Sequence, residues 1–298
     1  MTHDSTQNPQ LAVILEAIQN HDYPDSIEQI KAYVAELEAH ERFYPASQLL
    51  SHTRERYQSI RQFQTETAQG KWWQSDTAQD EVWITQKQAF FTYKNPELPP
   101  RTRFNDTLLL LEEIGLRDAT NCNAETLALG GAAYKRKWQH FGQLEDLIEA
   151  LFFYRAAFER NPKQDKGYGG VNAAFILDLL ADRAKQIARR SGIKFNESEA
   201  SNFSDQAAAL RQKMTLQIPT WQVEIELLPE SDRFWPQITI AEIYFGLRQY
   251  SEAMEWLQKA DVTSAANWKK QTLFSQLLQI ARLQGLTAPQ DSDKPADW

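Results

Sequence analysis

Two short runs, Ile240-Ala-Glu-Ile-Tyr244 and Tyr250-Ser-Glu-Ala-Met-Glu-Trp-Leu-Gln-Lys-Ala260, set out the architecture. Both place apolar residues at three- and four-residue spacing, the period of a helix with one buried face. The first run carries Ala241 close to Tyr244, and the second carries Ala253, Leu257 and Ala260. Only a short turn separates them, and helices joined that closely fold back as an antiparallel pair. Ala241 and Ala253 are small enough for the two backbones to approach, while Tyr244 and Leu257 fill the space beside them.

The same arrangement recurs upstream. Gly131 and Tyr134 lie on one predicted helix, and Ala150, Tyr154, Ala157 and Asn161-Pro162 on the next. The interval Tyr134–Ala150 exceeds Tyr244–Ala253 by about two helical turns, so a longer hairpin keeps the facing pattern. Weaker copies lie at 26–65 (with Phe43, Ala46 and Leu50), 79–115 and 169–217. About five hairpins plus flanking helices are expected.

Local signals place the individual helices. Asn8 caps a first helix with Pro9 in its first turn, and Leu11, Ile14, Leu15 and Ile18 form its stripe. Ser26 and Gln29 read as a capping box ahead of Ile27, Ile30, Val34 and Leu37. A third helix runs through Ala46 and Leu50 to about Phe63, and residues 66–78, with Trp72-Trp73, read as a longer connection. Helices follow at 80–93 and at Thr107–Ile114, the latter stopped by Gly115. The remaining ones are placed at 124–141, 143–161, 170–191, 204–217, 232–247, 249–260 and 265–284. The chain is thus expected to be all-α, with a repeat domain at 9–285 between disordered segments at 1–8 and 286–298.

Composition narrows the function classes. With 298 residues, 42% of them hydrophobic and 24% charged, the chain can bury a normal core. Its single cysteine, Cys122, excludes an internal disulfide framework and a cysteine-rich zinc site. A formal charge of −8 and a pI of about 5.3 disfavour nucleic acid as a general partner. The start, Met1–Asn8, is polar, and no apolar run approaches the length of a membrane span, so a cytoplasmic setting is expected.

Three segments carry a resemblance to a known family. They are Thr126-Leu-Ala-Leu-Gly-Gly-Ala-Ala-Tyr-Lys-Arg-Lys-Trp138, Gly167-Tyr-Gly-Gly-Val-Asn-Ala-Ala174 and Asp232-Arg-Phe-Trp-Pro-Gln-Ile-Thr-Ile-Ala-Glu242. The hairpins resemble tetratricopeptide repeats, and these three segments are similar to the TRAFs-binding-domain family. That family includes the central regulatory region of apoptosis signal-regulating kinases, and bacterial relatives beside or fused to signalling or conflict effectors. The resemblance covers roughly residues 25–285, and Gly169-Gly170 stands where the family usually has Pro-Gly. It implies tetratricopeptide-type hairpins stacked in a right-handed superhelix, an α-solenoid, that holds other proteins or neighbouring domains. It implies no catalysis.

The candidate chemistry each has two readings. Cys122 precedes a predicted helix, where a thiol can be activated, but no His–Asn constellation accompanies it. His3, His21, His40, His52 and His140 are scattered without metal-ligand spacing. Glu112-Glu113 and Glu145-Asp146 can be posed as acid–base pairs but suit solvated helix faces. Gly167–Gly170 lacks the pattern of a phosphate loop and reads as a tight turn into the next helix. Arg183, Lys185, Arg189, Arg190 and Lys194 form a basic patch suited to a helix C-terminus, without the aromatic interleaving of single-strand binders.

The partner-binding candidates sit on first helices, which line the concave side of a repeat superhelix. Asn172, one turn into its helix, with Lys135 and Arg136 of the preceding hairpin, can hold a peptide carboxylate or backbone; alternatively, Asn172 is a hydrogen-bonded packing residue. Trp235, Ile238, Glu242 and Phe245 recur at helical spacing, opposite Ala241 and Tyr244. That face serves the chain's own core, its C-terminal helix, or a partner helix. The expectation is a non-catalytic interaction scaffold, without cofactor or metal, that binds a protein or peptide through Lys135, Arg136, Asn172, Trp235, Glu242 and Phe245. The rival readings are a self-assembling structural module and a small hydrolase or transferase.

Overall fold

The computed structural model describes residues 8–67, 76–118, 123–160, 162–191 and 195–287. Among them lie fourteen α-helices and no strand. The chain divides into two compact units, Met1–Cys122 and Asn123–Trp298.

The first unit contains α1 (Pro9–Gln19), α2 (Ile27–Ala39), α3 (Phe43–Thr67), α4 (Asp76–Lys94) and α5 (Pro100–Glu113). The cap of α1 forms as its sequence dictates: the Asn8 side chain accepts from Leu11 N at 3.1 Å, with Pro9 in the first turn. Ser26 likewise caps α2 through Gln29 N. The stripes Leu11/Ile14/Ile18 and Ile30/Val34/Leu37 bury against Ala46, Leu49 and Leu50 of α3 and Ile84 and Phe91 of α4. Two ion pairs report the direction of stacking. Lys31 meets Asp80 at 3.1 Å and Lys87 meets Glu38 at 2.9 Å. Residues advancing along α2 thus meet residues advancing along α4, so these helices run parallel with α3 returning between them. Consecutive hairpins stacked in the same sense produce that relation.

The second unit contains α6 (Ala124–Phe141), α7 (Leu144–Arg160), the single turn α8 (Pro162–Asp165), α9 (Tyr168–Ser191), α10 (Phe195–Thr215), α11 (Ile218–Glu226), α12 (Phe234–Gly246), α13 (Tyr250–Lys259) and α14 (Asn267–Leu283). Its hairpins are α6–α7, α9–α10 and α12–α13, each stacked on the next. The small residues act as the sequence requires. A Cβ on Gly131 would lie 2.7 Å from the Tyr154 ring, so glycine lets the tyrosine lie across α6. Ala241 and Ala253 are fully buried where α12 meets α13.

Several boundaries differ from the expectation. α3 continues to Thr67 and α4 begins at Asp76, and residues 68–75, with Trp72-Trp73, lie outside the described residues. Helix α5 starts at Pro100, not Thr107, since a proline at the first position forfeits only an N–H with no intrahelical partner. The unforeseen α11 begins at Ile218-Pro219 for the same reason. Helix α10 starts at Phe195, not 204. Residues 1–7 and 288–298, on which most of the expected disordered segments fall, also lie outside the described residues, as do Cys122, Asn161 and Lys194.

Candidate functional site

The first helices of the second unit, α6, α9 and α12, each send one polar side chain to the same place. On α6, Lys135 is 9% exposed; on α9, Asn172 is 2% exposed; on α12, Glu242 is 7% exposed. The helix caps help set their register. Asn123 accepts from Thr126 N at 2.9 Å to start α6. Asp165 accepts from Gly169 N at 2.8 Å to start α9. A Cβ on Gly169 would lie 2.5 Å from Tyr154 O, and one on Gly170 would lie 2.5 Å from Met214 Sδ. Gly167, with φ at +83°, has a backbone geometry that suits glycine. This is the tight turn expected of Gly167–Gly170.

Lys135 Nζ donates to Asn172 Oδ1 at 2.7 Å. Asn172 Nδ2 in turn donates to the carbonyl of Tyr168 at 2.9 Å, which fixes the orientation of its amide. The ammonium lies 5.7 Å from the Tyr154 ring centroid and 5.5 Å from that of Phe175, so part of its charge is met by aromatic faces. Asn172 is thus a buried, hydrogen-bonded side chain whose partners are Lys135 and the backbone of its own helix.

The fourth member comes from α14. Gln276 Oε1 accepts from Lys135 Nζ at 3.0 Å, and Gln276 Nε2 donates to Glu242 Oε2 at 2.9 Å. One amide thus bridges the cation and the carboxyl. Burial pushes the Glu242 carboxyl up to about 7, against the pull of Lys135, the Gln276 N–H and Arg211. Helix α14 packs against α9 and α12, burying Trp268, Leu273 and Ile280. Its last turn is pinned where Gln284 Nε2 donates to the carbonyls of Phe245 and Gly246, at 2.9 and 3.2 Å.

The other predicted binding residues lie apart from this network. Arg136 donates to Gln139 Oε1 at 3.2 Å on its own helix; the residue after Lys135 is rotated about 100° around the axis and takes a different neighbour. The two apolar candidates are engaged within the chain. Trp235 lies 5.7 Å from Trp268 of α14, and Phe245 meets Tyr250 edge-on at 5.4 Å. In the basic patch, Arg183, Lys185, Arg189 and Arg190 are exposed along the last turns of α9. Among the described residues, no three His, Cys, Asp or Glu side chains converge as a metal-holding group. No helix among them is long and apolar enough to cross a membrane.

Three residues central to the second unit went unrecognised in the sequence, and each had a signal. Gln276 interrupts the stripe of Leu273, Leu277 and Ile280, where a polar residue facing the core needs a partner. Arg211 falls among the buried Ala207, Leu210 and Met214; its guanidinium is 3% exposed and pairs with Asp178 at 2.5 Å. Asp165 lies a few residues ahead of a glycine pair at a helix start, where a carboxylate can reach the free N–H groups of the first turn.

Residues 52–177 match the family described as Tetratricopeptide Repeats-Sensor. The match runs from within α3 through α4 to α8 and into the first part of α9, with Lys135 and Asn172, and stops before Glu242 and Gln276. No curated protein and no solved structure matches the chain. The hairpins are of the tetratricopeptide type, and the fold is an all-α helical repeat.

Proposed function

We propose that this chain is a non-catalytic interaction module of the TRAFs-binding-domain type, whose second unit recognises a helical segment of a partner protein. The reading rests on one observation above all. Three successive first helices present Lys135, Asn172 and Glu242 on one face, and a helix of the chain itself already lies against it through Gln276. A face that accepts a helix through apolar side chains and a central amide has the chemistry of helix-in-groove recognition. Lys135 and Asn172 are bonded to each other, so the polar anchor is preorganised, which lowers the ordering entropy lost on binding. The matched family's description adds a sensing role, and the resemblance of the three segments adds a signalling or defence effector as the protein served.

The test is panning of a displayed library of helical peptides on the full chain, followed by fluorescence anisotropy with the selected peptides. Affinity is expected to fall at least about tenfold when Lys135→Met is combined with Asn172→Ala, the loss of roughly 1.4 kcal/mol or more of polar contact. Arg183→Ala, on an exposed arginine of α9, is expected to leave it unchanged. Selected peptides that bind the double variant as well as the wild type would remove this face from consideration.

A further inference from the structure

We infer that α14 is a displaceable occupant of the partner site, and that a partner helix binds by taking its place. The inference rests on the reading of Lys135, Asn172 and Glu242 as the partner-binding face. It names the regulation of that face: the site is covered until a competing helix removes residues 267–283.

The character of the contact supports displacement. Helix α9 is held by an unbroken run of buried residues from Gly169 to Leu177, whereas in α14 the buried Trp268, Leu273, Gln279, Ile280 and Ala281 alternate with partly buried and exposed residues. Its outward side leaves Phe274 56% and Leu278 45% exposed. Much of the specificity of docking comes from polar links. Gln276 bridges Lys135 and Glu242, and Gln284 holds the carbonyls of Phe245 and Gly246. Buried polar links of this kind set register more than they add net affinity, because each charged group gives up its hydration when covered. Glu242, kept from water, is the clearest case.

The receptor side stays organised when α14 leaves. The Lys135–Asn172 bond and the Asn172–Tyr168 bond involve no atom of α14. The connection from α13 is a turn in which Asp261 has φ at +44° and Thr263 Oγ1 donates to Asp261 Oδ1 at 2.8 Å. It is joined to α14 by Lys270 Nζ donating to Thr263 O at 2.7 Å. Opening there moves one helix and leaves the hairpin α12–α13 intact.

The competing ligand follows from what α14 offers. It is an amphipathic helix with a side-chain amide at the position of Gln276, an aromatic residue about two turns before it, as Trp268 is, and an aliphatic one a turn after it, as Ile280 is. The amide is the discriminating feature, because it must accept from Lys135 and donate to Glu242 together.

Amide hydrogen exchange of the full chain tests the opening directly. Amides of α14 are expected to exchange about 100-fold faster than the central amides of α9, the signature of local opening. Gln276→Ala and, independently, Gln284→Ala are expected to widen the difference about tenfold, with the exchange of α6 and α9 unchanged. A fluorescein-labelled peptide of residues 264–287 is then added in trans. It is expected to bind the Gln276→Ala chain more tightly than the wild-type chain, whose own α14 competes, and to lose binding when Lys135→Met is added. Amides of α14 that exchange no faster than those of α9 would overturn displacement while leaving the partner-site reading to the library experiment. Fast exchange of α14 with no trans binding of the peptide would overturn the partner-site reading itself.

Discussion

Glu242→Gln isolates the electrostatics of the buried face. Glutamine keeps the length and the carbonyl oxygen that accepts from Gln276 but removes the titratable group. Burial raises the Glu242 carboxyl from 4.5 to about 7 in the folded chain. Between those values the unfolded chain has released this proton and the folded chain retains it. Folding stability therefore falls as pH rises, by about 1.4 kcal/mol per unit. The stability that Glu242 contributes is whole below pH 4.5 and lost as pH passes 7, a total of about 3 kcal/mol. The groups facing it, Lys135 and Arg211, favour the ionised carboxylate, and their pull is already contained in that value. Urea unfolding followed by circular dichroism at pH 5, 6, 7 and 8, at fixed ionic strength, reads the outcome. The variant is expected to gain on the wild type by about 2–3 kcal/mol between pH 5 and pH 8. A difference that stays flat across that range, or that moves in favour of the wild type as pH rises, would refute the reasoning.

Three further outcomes are expected. Asp165→Ala removes the acceptor of the Gly169 N–H and is expected to lower stability by about 1–2 kcal/mol, whereas Asp165→Asn, which keeps an acceptor oxygen, is expected to preserve most of it; thermal unfolding separates the two. Because burial also lifts the Asp165 carboxyl to about 7, the Asn variant is expected to compare best with the wild type above pH 7. Gly169→Ala drives a methyl against Tyr154 O at 2.5 Å and is expected to lower stability by about 1–3 kcal/mol in urea unfolding. Gly246→Ala sets a Cβ against the Arg211 guanidinium and is expected to loosen its pairing with Asp178, seen as faster exchange of α10 amides.

Much of the architecture was legible because its causes are local. Asn8-Pro9 and Ser26-Ile-Glu-Gln29 announce helix starts through the bonds their own side chains make within a turn. Gly115, with φ at +83°, ends α5 as its position predicts. Gly131 facing the Tyr154 ring, and the buried Ala241 and Ala253, reveal hairpins because close helix approach leaves a mark at fixed spacing. Where the reading failed, a proline began a helix that apolar spacing alone did not announce, as at Pro100 and Pro219.

Of the six partner-binding candidates, Lys135, Asn172 and Glu242 lie in one hydrogen-bonded network, while Arg136, Trp235 and Phe245 have other neighbours. Helical period placed the first three on successive first helices, and nothing in that period distinguished Lys135 from the arginine beside it. The residue that joins them, Gln276, is 141 positions from Lys135. By itself the sequence determined that the chain is helical, where its hairpins fold back, and which faces are apolar. Tertiary structure alone decided what covers the inner face of the second unit, because periodicity specifies that a face must be buried and leaves its partner to the packing of the whole unit.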